Sequence, residues 1–130
     1  DVDGRPSVIP TTSPTRFDPA VMHASVDRIL ACQPAALYLT HFSRVTDIPR
    51  LGDDLHRLID AHLAVAERER ATGPERGARI LAGLWALMDA EAERQGWRLD
   101  PEQRREVLGM DIELNAQGLD YWLDQNPPPA

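Results

Sequence analysis

The chain has no lysine, a single cysteine and no long apolar run, and each shortage removes a class of protein. All 14 basic residues are arginine, set among 21 acidic ones for a net charge of −7. Without a basic block there is no electrostatic footprint for nucleic acid or for an anionic membrane surface. Cys32 alone can form neither an intrachain disulfide nor a thiolate zinc cluster. No stretch approaches the roughly 20 apolar residues of a membrane span. The first residues, Asp1-Val2-Asp3-Gly4-Arg5, lack the basic and apolar parts of a signal peptide. They also lack an initiator methionine and read more like the turn between two strands than the start of a protein. A cytoplasmic location is the expectation. A glycine-rich phosphate loop is absent, as is a nucleophile elbow around Ser7, Ser13, Ser25 or Ser43. What remains, over 130 residues and 42% hydrophobic, is enough for one well-filled core.

Prolines and aspartates punctuate what is there. A short strand is expected at Ser7–Ile9, followed by a loop through Pro14. Asp18-Pro19 opens a first helix, since aspartate caps and proline suits the first helical position. Met22, Val26, Ile29 and Leu30 recur at helical spacing within it. Gln33-Pro34 closes it, because the residue before proline disfavours the helical region. Residues 36–40, Ala-Leu-Tyr-Leu-Thr, read as a buried strand ending at His41, followed by a turn-rich connection from Phe42 to Arg50. Three helices are then expected: from Leu51 or Asp53 to Ala71, from Glu75 to Gln95, and from Asp100-Pro101 to about Asp124. Leu55, Leu58, Ile59, His62, Leu63 and Ala66 make one stripe on the first of these. A lone strand leaves backbone groups that must pair with something. With only Ser7–Ile9 to offer, the sheet is expected to need residues outside this chain.

Four histidines raise a metal hypothesis, and spacing thins it. His56 and His62 point about 120° apart on their helix, so they cannot share one ion. His23 and Asp27, like His56 and Asp60, lie four apart on one helix face, where a surface hydrogen bond is the plain reading. His62 lies on an apolar stripe and reads as a packing residue. His41 differs in standing at a strand end, where open α/β sheets place ligands. Spacing alone still favours a structural role for it, because a catalytic zinc needs about three protein ligands. Cys32 reads as a small buried residue. Asn115 interrupts the apolar stripe between Ile112 and Leu119; if buried it should be hydrogen-bonded, fixing the docking of its helix or an interface.

The stretches Phe17-Asp18-Pro19, Ala24-Ser25-Val26-Asp27-Arg28-Ile29-Leu30 and Ala36-Leu37-Tyr38-Leu39-Thr40-His41-Phe42-Ser43-Arg44-Val45 resemble the C-terminal portion of metallo-β-lactamase-fold hydrolases. The subgroup is the glyoxalase-II-like one, whose helical tail is similar to Asp111–Leu119 with Trp122-Leu123. The resemblance implies an α/β fold: residues 1–50 as the C-terminal part of an αββα sandwich, 51–125 as a three-helix appendage, and 126–130 as a proline-rich tail. It implies that His41 is the last metal ligand and that Thr11, Thr12 and Arg44 border a substrate pocket. One or two ions of zinc, or of iron or manganese, would then carry a hydroxide that attacks a thioester, lactone or similar carbonyl of a small-molecule substrate. The H-x-H-x-D-H motif and the bridging aspartate of that family are absent here. The remaining ligands are therefore expected on the N-terminal part of the same protein, and no activity is expected from this segment alone.

A non-enzymatic reading stands beside it. The last three helices could form an interaction or dimerisation module, self-associating into a homo-oligomer. Trp85, Trp97, Tyr121 and Trp122 are its candidate anchors, although core packing is the plainer use of each.

Overall fold

The computed structural model describes residues 6–14 and 16–128. The described residues form four α-helices and one two-stranded ribbon. α1 is Pro19–Ala31, β1 Leu37–Tyr38, β2 Arg44–Val45, α2 Ile48–Glu69, α3 Arg76–Gln95 and α4 Pro101–Gln125. The helix starts follow their local chemistry. Asp18 accepts a hydrogen bond from the Val21 amide at 3.0 Å, with Pro19 in the first turn. Asp100 and Gln103 cap α4 reciprocally, side chain to backbone in both directions. α3 ends at Gly96, whose φ of 69° is a left-handed cap that glycine takes without strain. α2 begins earlier than its sequence suggests, at Ile48, because Pro49 falls in its first turn, where a missing amide costs no helical hydrogen bond.

The expected sandwich is not what forms. The strand read over residues 36–40 is reduced to Leu37–Tyr38, which pairs antiparallel with Arg44–Val45 just downstream. Ser7–Ile9 is irregular and pairs with neither. A tight hairpin satisfies the backbone locally, and Val8 and Ile9 instead bury their side chains against helices. The architecture is thus a helical body with a small ribbon, not an αββα sandwich. The turn read at Asp1–Arg5 lies outside the described residues.

The core lies among α2, α3 and α4, where Leu58, Ile80, Leu84, Met88, Ile112 and Leu119 are fully buried. At roughly 1.5–3 kcal/mol for each such side chain, this burial is the main stabilising term. α1 packs on α2. A smaller cluster, Val45, Ile48 and Leu51 with Leu30 and Leu37, roots the hairpin on the start of α2.

Residues 6–13 form a strap across these helices. Its anchor is Asn115, the polar interruption in α4. The Asn115 side chain accepts from the Thr12 amide at 2.8 Å and donates to the Pro10 carbonyl at 2.8 Å, while the Thr12 hydroxyl donates to the Asn115 carbonyl at 3.0 Å. One turn along, Gly118 lets the strap lie directly on α4, since a Cβ there would overlap the Thr12 carbonyl oxygen. Farther down the strap, the Ser7 hydroxyl accepts from the Trp97 indole at 3.1 Å.

Between α2 and α3 sits a half-buried ionic knot. The Arg57 guanidinium donates to Asp54 at 2.9 Å and to Glu91 at 2.7 Å, and Gln95 donates to both carboxylates. Burial pushes the Asp54 carboxyl up, but the hydrogen bonds from Arg57 and Gln95, with the charges of Arg57 and Arg50, outweigh it and hold the group below its usual range.

Candidate functional site

His41 stands in the turn of the hairpin, exposed to solvent. Among the described residues neither ring nitrogen has a hydrogen-bonding or ionic partner. Its surroundings are apolar and uncovered: Tyr38 is 80% exposed, Phe42 56% and Leu39 45%. Behind them α1, the hairpin and the start of α2 enclose a wholly apolar groove, walled by Val26, Ile29, Leu37, Leu39, Val45 and Leu55. Arg44 lies on β2, also exposed and without an ion pair among the described residues.

Thr11 and Thr12 stand elsewhere. Thr12 is fully buried and committed to Asn115. Thr11 lines a shallow depression whose facing wall is Asp111 and Leu114 of α4, not the hairpin. The strap and the hairpin therefore present separate surfaces, and Thr11 and Thr12 do not share a cavity wall with His41 in either depression. Cys32, expected to be buried, is exposed just past the end of α1, its thiol turned to the Arg28 carbonyl at 3.3 Å.

Two polar features stand out, of which only the first escapes a reading by spacing alone; the second was expected as a packing histidine. The first is a contact between histidines on different helices: His23 Nδ1 lies 2.6 Å from His56 Nδ1. Each ring's other nitrogen meets a carboxylate on the opposite helix, His23 with Asp60 and His56 with Asp27, both at 3.0 Å. The repeated His-x-x-x-Asp pattern on two helices was the available signal. The second is His62, fully buried, with Nδ1 donating to the Leu58 carbonyl at 2.8 Å and Nε2 without a partner. Desolvation pushes its pKa down to about 4, against a smaller opposing effect of that hydrogen bond, so the ring is neutral at physiological pH.

α4 carries a second apolar stripe opposite its core face. Val107, Met110, Leu114 and Tyr121 are all exposed, at the three- and four-residue spacing of a helix seam. Exposed carboxylates of Glu106, Asp111 and Glu113 flank it. Of the four expected aromatic anchors only Tyr121 belongs to this face. Trp85 and Trp122 pack on the core, Trp122 edge-on to Phe17 with centroids 6.2 Å apart, and Trp97 is tied to the strap.

Among the described residues, no group of three or more His, Cys, Asp or Glu side chains is placed to hold a metal ion, and no helix is long and apolar enough to cross a membrane. No family model, curated protein or solved structure matches this chain.

Proposed function

We propose that this chain is one segment of a metal-dependent hydrolase, supplying His41 as a single metal ligand together with a helical body. The observation that carries the reading is the hairpin tip: an imidazole whose nitrogens have no partner among the described residues, beside exposed Tyr38, Leu39 and Phe42. Large side chains clustered in water on a short ribbon mark a surface that another polypeptide covers. The residues present fit a metal ion as one corner of its cage only. The N-terminal part of the same protein would bring the other ligands, for zinc or for iron or manganese, in a site of one or two ions. Such an ion lowers the pKa of a bound water to near 7, which suits attack on a thioester, lactone or similar carbonyl. Arg44, exposed on the same ribbon, would meet an anionic group of a small-molecule substrate. The exposed thiol of Cys32, with no second cysteine in the chain, fits a reducing, cytoplasmic setting.

The test is to express the chain in frame with the coding sequence upstream of it, then measure bound metal and hydrolysis of thioester and lactone substrates. The extended protein should hold one or two ions and turn over substrate, whereas the 130-residue chain alone should do neither. His41→Ala should lower activity by at least about 100-fold, as expected when a ligand is lost. Unchanged metal content and rate in that variant would refute the reading.

The outer stripe of α4 favours a second role, docking of a partner. Self-pairing through this seam would bring Glu106, Asp111 and Glu113 against their own copies, so the flanking charge opposes a homodimer and suits a basic amphipathic helix. Light scattering should find a monomer. Met110→Glu should abolish binding of a basic amphipathic peptide to this face while leaving stability unaltered.

A further inference from the structure

The His23–His56 contact joins two copies of one short pattern. α1 carries His23 and Asp27, and α2 carries His56 and Asp60, four residues apart in each case. Antiparallel packing crosses them over, so that each histidine meets the other helix's aspartate at 3.0 Å. The two imidazole planes differ by only 6°, and their centroids lie 4.9 Å apart. That separation equals the 2.6 Å between the Nδ1 atoms plus about two ring radii, so the rings meet edge to edge in one plane.

Counting protons on this array leaves one solution. An Nε2 facing a carboxylate oxygen must carry hydrogen, because a carboxylate only accepts. Two Nδ1 atoms in hydrogen-bond contact need one hydrogen between them. The four ring nitrogens therefore carry three protons: one ring is imidazolium, the other neutral. Remove a proton and either a lone pair faces a carboxylate or the two Nδ1 lone pairs face each other. Add one and two N–H bonds collide at the Nδ1 contact.

We propose that His23 and His56 form a shared-proton clasp, which fastens α1 to α2 and opens when the pair takes up a second proton. In the opening step the neutral ring's Nδ1 lone pair accepts a proton from hydronium, leaving water, and the N–H···N bond is lost. Both Nε2–H bonds to the carboxylates remain available. The charged groups facing the pair are Asp27 from α1 and Asp60 from α2. Arg57, next to His56, is turned away to Asp54 and Glu91. Both aspartates are about 70% exposed and the rings about a quarter exposed, so water reaches the site. α1 runs on into the hairpin, which Val45, Ile48 and Leu51 with Leu30 keep rooted on α2, so release of the clasp loosens the contact of α1 with α2 and leaves the hairpin seated. The clasp itself stands independently of any metal at His41.

Amide hydrogen exchange of the whole chain between pH 8 and 5, corrected for intrinsic rates, tests the clasp, together with nitrogen-15 spectra of the imidazoles. Opening of α1 should rise about ten-fold per pH unit once the second proton binds, because one proton is taken up per opening. In His62→Leu, which removes the acid slope of the common core, α1 should still rise while α3 and α4 stay flat, and this separates the clasp from protonation of His62. The spectra should show three ring N–H groups on the pair at the plateau. His23→Gln and His56→Gln should each abolish the slope in α1; if one fails to fold, the other decides. A flat α1 profile in the parent chain, a slope that persists in His56→Gln, or two rings that titrate independently would overturn the proposal.

Discussion

Alanine at position 118 would add one methyl group where the Thr12 carbonyl already lies. Helix propensity alone predicts a gain from Gly→Ala within α4, of about 0.5–1 kcal/mol. The strap reverses the sign. The Thr12 carbonyl is backbone, so it cannot rotate away as a side chain would, and the strap must lift. Lifting it breaks the three hydrogen bonds between Asn115 and residues 10–12, and Asn115 is 97% buried. Each bond lost with a buried partner left unsatisfied costs about 1–3 kcal/mol, and strap groups that reach water recover part of it, so Gly118→Ala should cost about 3–4 kcal/mol. Gly109 on the same helix is the control, because a Cβ there meets nothing within 4 Å. Gly109→Ala should therefore stabilise by up to about 1 kcal/mol. Urea denaturation followed by circular dichroism reads both. With a slope of about 2 kcal/mol per M, the Gly118→Ala midpoint should fall by roughly 1.5–2 M while that of Gly109→Ala rises slightly. Equal shifts in the two variants, or a cost below about 1 kcal/mol at position 118, would show that the strap does not rest on α4 in this way.

Asn115→Ala should cost about 2–4 kcal/mol in the same assay, and combining it with Gly118→Ala should add little, because both act on one contact. Arg57→Met leaves the buried Glu91 carboxylate with the Gln95 amide alone, while Asp54 keeps Arg50 and Gln95, and should destabilise by about 3 kcal/mol at neutral pH. His62 predicts the acid limb of stability. Its folded pKa of about 4 lies below the ordinary 6.5, so the unfolded chain binds a proton that the folded chain refuses. Stability from this group is full above pH 6.5 and is lost as pH falls towards 4, by about 3 kcal/mol in total. His62→Leu should flatten that slope in denaturation measured at a series of pH values. His41→Ala, by contrast, should leave the stability of this chain within about 0.5 kcal/mol, since the exposed ring holds nothing in place.

The starts of α1 and α4 and the end of α3 were legible because they are written in neighbouring residues. Asp18-Pro19, Asp100-Pro101 and Gly96 act within one turn of where they stand, and the apolar stripes of α2 and α3 follow from helical repeat alone. Asn115 was readable as an anomaly, a polar group in an apolar row, although not what it would hold. The strand before His41 shows where such reading stops. Residues 36–40 have strand composition, but a strand's length depends on the partner beside it, and here that partner is a two-residue hairpin arm.

Pattern and capping established the four helices of the described residues and put His41 between the first two, since those forces act along the backbone over a few residues. Packing alone decided that Thr12 would lie on Asn115, 103 positions away, and that His23 would meet His56 across 33. Periodicity tells which side of a helix avoids water. It carries no record of which distant side chain that face will meet, and both the strap and the clasp are made of such meetings.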